Sequence, residues 1–377
     1  MRTLLHVYPT FKLGGAQMRF IQLANHFGGA YRHVIVAMDG QIEAFSRLAP
    51  GLKVEMRSVP VHRGRTWTNL KTFRAVLKTV QPDLLITSNW GSIEWAMANF
   101  DGRVPHLHME DGFGPEEANQ QLSRRVWTRR LILRRSTILL PSLTLFALAR
   151  NVWRLPERRL IHVPNGVDCA RFNGAPDRNF AAAVGIPDDG VPVVGTVAIL
   201  RAEKNLYRLL DAFAQVAERR PCRLVIVGEG SERGGLTARA TALGMADRVV
   251  FTGACSTPEK LLPRFSLFAL SSDTEQMPIS VLEAMAAGLP LAATQVGDVA
   301  NMVAADNLPF IVPKDTAALA GAVSTLLDDP SRARAIGQAN AARARMMFDQ
   351  SVMFESYRKL YDGIFAPNLP TGLKGAS

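Results

Sequence analysis

The chain has 377 residues, 47% hydrophobic and 20% charged, which is too long for one ordinary domain and apolar enough for sizeable buried cores. No run approaches the roughly 18 uninterrupted apolar residues of a membrane-spanning helix, and Cys169, Cys222 and Cys255 fit neither a CxxC pair nor a disulfide framework. The opening MRTLLHVYPTFKLGG carries too short an apolar stretch for a signal peptide, so a reducing, cytoplasmic location is expected.

The net charge of +11 is one-sided. Residues 1–170 hold 23 Lys and Arg against 12 Asp and Glu, while residues 171–377 hold 21 of each. That asymmetry points to an anionic partner: nucleic acid, an anionic lipid surface or a phosphorylated substrate.

In chain order, short apolar runs at 4–8, 34–37, 54–56, 84–87, 105–108, 138–140 and 161–163 read as strands, with helical stretches at 17–27, 69–80 and 122–133. Apolar strands alternating with helices predict a parallel sheet covered on both faces. Residues 166–190, rich in Pro, Gly, Asn and Asp, are expected to form a linker. Beyond it, VPVVGTVAIL, CRLVIVGEG, RVVFTG, LFALSS, LPLAAT and PFIVP read as six more strands. A closing helix at 351–365, with the option of packing back on the first domain, precedes an expected disordered tail at 366–377. The result is an α/β protein of two Rossmann-like parallel-sheet domains, 1–170 and 171–365. Ligands of such sheets bind outside the C-terminal ends of the strands, so an interdomain cleft is the expected site.

Several motifs sit at strand ends. Gly14-Gly15-Ala16-Gln17 opens a helix and suits either a tight turn or close approach of an anion to backbone amides. Arg201-Ala202-Glu203-Lys204-Asn205 places two cations at a helix start, where the helix dipole disfavours them. A bound diphosphate would offset that cost; the alternative is a solvated helix end with Glu203 paired to Lys204. Glu275 follows a strand, and Glu283 lies on the small, apolar helix VLEAMAAG, where a carboxylate suits hydrogen bonding to a ribose diol or to a structural arginine. His106 and His108 share one strand face; HxHxED has no established metal-ligand geometry, and no metal or cofactor is expected. Gly228-Glu229-Gly230 lacks the third glycine of a dinucleotide fingerprint and reads as a strand-to-helix turn.

Together GGAQ, PNGVD at 164–168, EKN at 203–205, VGEGSER at 227–233, and Glu275–Glu283 followed by LEAMAAGLP resemble glycosyltransferase family 4, a GT-B-fold family. The resemblance runs from about residue 3 to residue 365. It implies a retaining hexosyltransferase that uses a nucleotide-sugar donor without bound metal and a saccharide or lipid-linked acceptor, in envelope polysaccharide or glycolipid biosynthesis. Carried over, Glu283 would hold the ribose hydroxyls and Glu275 hydroxyls of the donor sugar. Lys204 would bind the diphosphate with the amides of Ile279 and Ser280, His108 would sit by the transferred sugar, and Gly14 and Gly15 would border phosphate and acceptor. The family's usual Arg five residues before Lys204 is Ile199 here, and Arg201 is expected to substitute. Gln276-Met277-Pro278 replaces Gly-Phe-Gly, and Glu110-Asp111-Gly112 replaces Glu-His-Gly, which is expected to place a carboxylate on the acceptor side.

Two other functions fit parts of this pattern: a sugar-nucleotide epimerase of the same fold, and a non-catalytic protein binding an anionic polymer. No nucleic-acid motif appears, so nucleic acid is not an expected partner. The Arg pairs 124/125, 129/130 and 134/135 spread around a helix without a clean apolar stripe. They predict an electrostatic, peripheral contact with the cytoplasmic face of an anionic inner membrane rather than insertion.

Overall fold

Parallel strands form in both halves of the chain where the apolar runs predict them. The computed structural model describes residues 1–113, 115–117 and 120–366. A first unit comprises Met1–Pro164 and the chain from Phe354 onward; a second comprises Asn165–Met353.

The first unit holds β1 (Arg2–Tyr8), β2 (Tyr31–Ala37), β3 (Val54–Met56), β4 (Leu84–Ser88), β5 (His106–Met109), β6 (Thr137–Leu140) and β7 (Leu160–His162). They hydrogen-bond in the order β3-β2-β1-β4-β5-β6-β7. The second holds β8 (Val193–Val197), β9 (Arg223–Val227), β10 (Val249–Gly253), β11 (Leu267–Leu270), β12 (Leu291–Thr294) and β13 (Ile311–Val312) in the order β10-β9-β8-β11-β12-β13. Leu4, Leu5, Val7, Leu84 and Leu85 are fully buried, as are Val193, Val194, Leu267 and Phe268. Helices cover both faces, which is why the strands read as continuous apolar runs rather than alternating ones.

Two expectations about organisation need correcting. The division falls after Pro164, ahead of the expected boundary at 170. The segment read as a linker is packed structure of the second unit: Cys169, Phe172, Ala181 and Ile186 join its core, and Val167 accepts from Gln350 N at 2.9 Å. Asp168 and Asp177 cap the short helices Cys169–Phe172 and Arg178–Ala183 with their side chains. The Asp and Pro residues there are cap and turn signals, not signs of a free chain. The helix Gln350–Phe365 returns its last turns to the first unit. Phe354 stacks on His26 with ring centroids 3.9 Å apart, and Tyr361 packs against Tyr31 at 5.5 Å. The expected disordered tail lies outside the described residues, apart from Ala366.

The core of the first unit contains a pair of buried imidazoles. His6 on β1 and His33 on β2 share a hydrogen bond of 3.0 Å beside the ring of Phe20. Burial pushes His33 down to about 4 and holds His6 well below the ordinary imidazole value. Unfolded, both take up protons near pH 6.5, whereas the folded chain does not. Their contribution is therefore complete above pH 6.5 and is lost as pH falls toward 4, on the order of 3 kcal/mol for His33 alone. Calorimetry between pH 7 and 4 should show this loss, with a shallower acid limb in His33→Asn. Superimposable acid limbs in the two proteins would contradict the assignment.

Candidate active site

In the second sheet the strand order reverses between β8 and β11, the place where open parallel sheets bind ligands. The loop after β8 carries Arg201 and Lys204, and the loop after β11 carries Glu275. Lys204 Nζ donates to Glu275 Oε1 at 2.6 Å, and Ser272 Oγ donates to the same oxygen at 2.8 Å. Glu203 is thus not the partner of Lys204.

The two loops are laced together. Asp273 N donates to Glu203 O at 2.9 Å, Ser271 Oγ to Lys204 O at 3.0 Å, and Arg208 Nη1 to Ser271 O at 2.7 Å. Asn205 sits at φ 41°, a left-handed conformation that Asn tolerates, and accepts from Arg208 N at 3.2 Å to cap the helix Leu206–Ala217. Its Nδ2 also donates to Asp273 at 2.9 Å. Sequence reading missed Ser272, Asp273 and Arg208; the SSD at the end of β11 and the Asn of EKN were the available signals.

Glu275 is fixed from its other side by Gly297. A Cβ there, at φ 48°, would lie 2.5 Å from the carbonyl oxygens of both Glu275 and Gln276. Asp298 N donates to Gln276 O at 2.8 Å and closes that contact. Pro278 stands just before the helix Ile279–Ala286, where its missing amide costs the helix nothing. The first intrahelical bond is Val281 N to Pro278 O, so the amides of Ile279 and Ser280 lead the helix.

Glu283 lies further along the same helix. No side chain among the described residues hydrogen-bonds or ion-pairs its carboxylate. The nearby Arg171 is engaged by Glu259 at 2.7 Å, and burial pushes the Glu283 carboxyl up to about 7. Arg201 is not drawn into this group: its side chain is 59% exposed and lies 3.9 Å from Glu203. Gly228 and Gly230 hold the strand end before Arg201, since Cβ atoms there would sit 1.8 Å from Ala198 O and 2.3 Å from Leu200 O. That close approach explains VGEG without a dinucleotide.

The first unit has its own reversal, between β1 and β4. Gly14 precedes the helix Gly15–Phe27, and Gln17 Nε2 donates back to Thr10 O at 2.8 Å. Asn89, at φ 55°, accepts from Asp111 N at 2.7 Å. Arg19 donates from Nη1 and Nη2 to the two oxygens of Asp111 at 2.6 and 2.9 Å, tying the Gly14–Gly15 helix to the end of β5. Removing one partner of such a buried pair costs about 3–5 kcal/mol.

Three expectations change here. Asp111 and Glu110 do not offer free carboxylates: Arg19 holds the first, and Arg129 Nε donates to the second at 3.3 Å. His108 is fully buried, hydrogen-bonded to Thr87 at 2.8 Å and 3.5 Å from Glu110, so in this conformation it presents no atom to a sugar. The three Arg pairs are not a uniform surface either. Arg129 is buried against Glu110 and Glu117, and Arg125 pairs with Glu116 and Glu117. Arg130 donates to the carbonyls of Val152 and Trp153. Internal acids claim arginines that the sequence displays as surface charge.

Comparison with known proteins follows the same division of the chain. A family model described as Glycosyltransferase Family 4 matches residues 13–171, and one described as Glycosyl transferases group 1 matches residues 177–343. A 2-deoxystreptamine glucosyltransferase of Streptomyces kanamyceticus is 32% identical over 181 residues, 46% of this chain and 47% of the relative. A GDP-mannose-dependent alpha-(1-6)-phosphatidylinositol monomannoside mannosyltransferase of Mycolicibacterium smegmatis is 34% identical over 201 residues, 49% of this chain and 51% of the relative. The matched chain spans about half the length of these curated relatives. Among solved structures, HepE of Anabaena in complex with UDP and glucose superposes with a TM-score of 0.83 at 20% identity, covering 96% of this chain and 100% of HepE. That likeness is one of fold.

The state of Glu283 is measurable without a ligand. Its carboxyl holds a proton between pH 4.5 and about 7 that the unfolded chain releases, so stability falls as pH rises through that window. Glu283→Gln should stabilise the protein at pH 8 by an amount on the order of 1–3 kcal/mol, read as a raised melting temperature, and leave its stability unchanged at pH 5. An equal change at both pH values would show that the carboxylate is not held in a strained ionisation state.

Proposed function

The chain belongs to glycosyltransferase family 4, and from that premise we propose that it is a retaining enzyme moving a hexose from a nucleotide sugar to an acceptor hydroxyl. The observation that carries this reading is the set of groups at the β8–β11 edge. Glu283 has no hydrogen-bond or ion-pair partner among the described residues, Lys204 lies 2.6 Å from Glu275, and two amides lead the helix at Ile279. Glu283 suits a ribose diol, which would donate two hydroxyls to a carboxylate that now has none.

In the proposed reaction the bond from the anomeric carbon to the diphosphate oxygen breaks as a bond to the acceptor oxygen forms on the same face. The acceptor's proton passes to the departing diphosphate. Lys204 turns from Glu275 to the diphosphate, joined by the amides of Ile279 and Ser280, and the released Glu275 takes hydroxyls of the donor sugar. These groups neutralise the charge growing on the leaving group, the task a metal performs elsewhere. Arg201 is exposed and close enough in sequence to join them.

UDP-sugars and GDP-mannose are the first donors to screen, given the UDP held by HepE and the GDP-mannose dependence of the mycobacterial relative. Lys204→Ala should lower kcat by more than it raises the donor Kd, because charge on the diphosphate grows toward the transition state. Arg201→Ala should also lower turnover; a silent Arg201→Ala leaves the diphosphate to Lys204 and the amides. Inversion at the anomeric carbon in the product would overturn retention, and interconversion of donor without any acceptor would mean an epimerase.

The proposal extends to place. No helix among the described residues is long and apolar enough to cross a membrane. On the helix Ser123–Ile132, however, Trp127 is 64% exposed and Leu131 55% exposed, and Arg124 on that helix and Arg134 in the turn after it are exposed too. Arg125 and Arg129 turn inward to Glu117, which leaves Trp127, with Arg130 over its ring at 4.5 Å, and Leu131 outside. Aromatic and aliphatic side chains among cations suit shallow docking on an anionic bilayer, at roughly 1 kcal/mol per basic residue near the surface. Liposome co-sedimentation should need anionic lipid, fall steeply with salt and weaken in Trp127→Ala. Absence of binding at low salt would assign the enzyme a soluble acceptor.

A further inference from the structure

At the opposite edge of the first sheet from Gly14, Asn89 and Asp111 lies a hollow of about 1200 Å3 that the transfer reaction does not use. It opens where β5, β6 and β7 begin, at Pro105, Ser136 and Leu160, and Ile364 of the last helix closes one side. Because every strand of this sheet is parallel, the hollow and the ligand-binding edge stand at different ends of the same strands.

Three arginines face it: Arg135, Arg158 and Arg159. No acidic side chain among the described residues pairs with any of them, and Arg159 Nε is buried without an acceptor. Acids do line the hollow, but their charges are engaged by residues that do not. Asp101 pairs with Arg103 at 2.6 Å, Glu157 with Arg150 at 3.8 Å and Asp362 with Arg358 at 3.2 Å. Lys359, the fourth cation of the lining, is 3.4 Å from Glu355. Elsewhere in this unit inward arginines are matched by carboxylates, as Arg19 is by Asp111 and Arg129 by Glu117. Phe100, Val104, Ile132 and Ile364 add apolar surface to the lining. Guanidinium groups without acidic partners and hydrocarbon in one lining suit a ligand with an anionic head and an apolar body.

We propose that this hollow binds a phosphate-bearing amphiphile, its phosphate held by Arg135, Arg158 and Arg159 and its apolar part against Phe100 and Ile364. Guanidinium groups recognise phosphate oxygens through paired N–H donors, and the apolar wall excludes small inorganic ions from competing on equal terms. The floor of the hollow reports on its occupant. His106 lines it and is hydrogen-bonded to Ser136 Oγ at 2.7 Å and to Thr87 Oγ at 2.8 Å. The same Thr87 hydroxyl meets His108 at 2.8 Å, and His108 meets Glu110 at 3.5 Å. A polar chain therefore runs along β4 and β5 from the hollow to the Glu110–Arg129 pair at the other edge.

The test uses the full chain and three probes: monomeric dihexanoyl phosphatidic acid, dihexanoyl phosphatidylcholine and inorganic phosphate. Phosphatidic acid should bind at least about tenfold more tightly than either of the others, the scale of one charge-assisted hydrogen bond. Arg158→Gln and Arg159→Gln should each weaken it by about tenfold, while Trp127→Ala should not. Phosphatidic acid should also move the imidazole resonances of His106 and leave those of His6 and His33 in place. Vesicles bearing phosphatidic acid separate the two sources of such a headgroup. If Arg158→Gln weakens monomer and vesicle binding alike, one phosphate site serves both. Equal binding of all three probes, an unmoved His106, or binding unaffected by both arginine variants overturns the proposal. Binding seen only after removal of residues 367–377 overturns it too, because the hollow would then belong to the chain's own tail. The transfer reaction uses none of these residues, so its assay stands or fails separately.

Discussion

The register of β8 against β11 decides where the charged groups of the second unit's strand-end loops stand. Only Leu267–Val194 and Phe268–Gly195 are paired, yet this short ladder joins strands whose following loops carry Lys204 and Glu275. Gly195 permits it, since a Cβ there would fall 2.0 Å from the ring of Phe265. With the strands in register, Asp273 N reaches Glu203 O and Arg208 reaches Ser271 O, so the two loops behave as one surface. A shift of one residue would turn every side chain of β11 to the opposite face and separate the lysine from its carboxylate.

Lys204 and Glu275 then hold each other in the unliganded chain. Such a pair keeps both charges stable at a partly buried site until a ligand with a stronger claim on the lysine arrives, and a diphosphate is one. Glu283 is different because no side chain among the described residues pairs with it. Burial pushes the Glu283 carboxyl up to about 7, so its ionised form destabilises the fold, and perturbed groups of this kind cluster at functional sites.

Electrostatics in the first unit follow another logic. Its basic excess reads in the sequence as a single surface property, but folding gives different arginines different surroundings. Arg19 and Arg129 are buried and clamp Asp111, Glu110 and Glu117, which fastens the Gly14–Gly15 helix and the β5 edge. Arg124 and Arg134 remain exposed, as do Trp127 and Leu131. Arg135, Arg158 and Arg159 face a hollow at the far edge. Charge neutralised inside the unit fixes geometry, and only the remainder is available to a partner.

Much was legible in the residues themselves. Apolar runs such as LLHVY and LVIVG can only be strands covered on both faces, and their alternation with helices allows little besides parallel sheets. The motif residues Lys204, Glu275 and Glu283 stood out because charge at a helix start or on an apolar helix needs a reason. What one dimension could not supply was pairing over long separations. The contacts of Lys204 with Glu275, Arg19 with Asp111 and Gly297 with the Glu275 loop join residues 71, 92 and 22 positions apart. The inward turn of Arg129, the enclosure of His108 and the packing of the supposed linker likewise depend on which neighbours the fold brings up. The sequence by itself determined the strands, their parallel order of use and the chemistry available at their ends. Only the tertiary structure decided which charges meet and which are left for a ligand, because a hydrogen bond depends on distances that chain order does not contain.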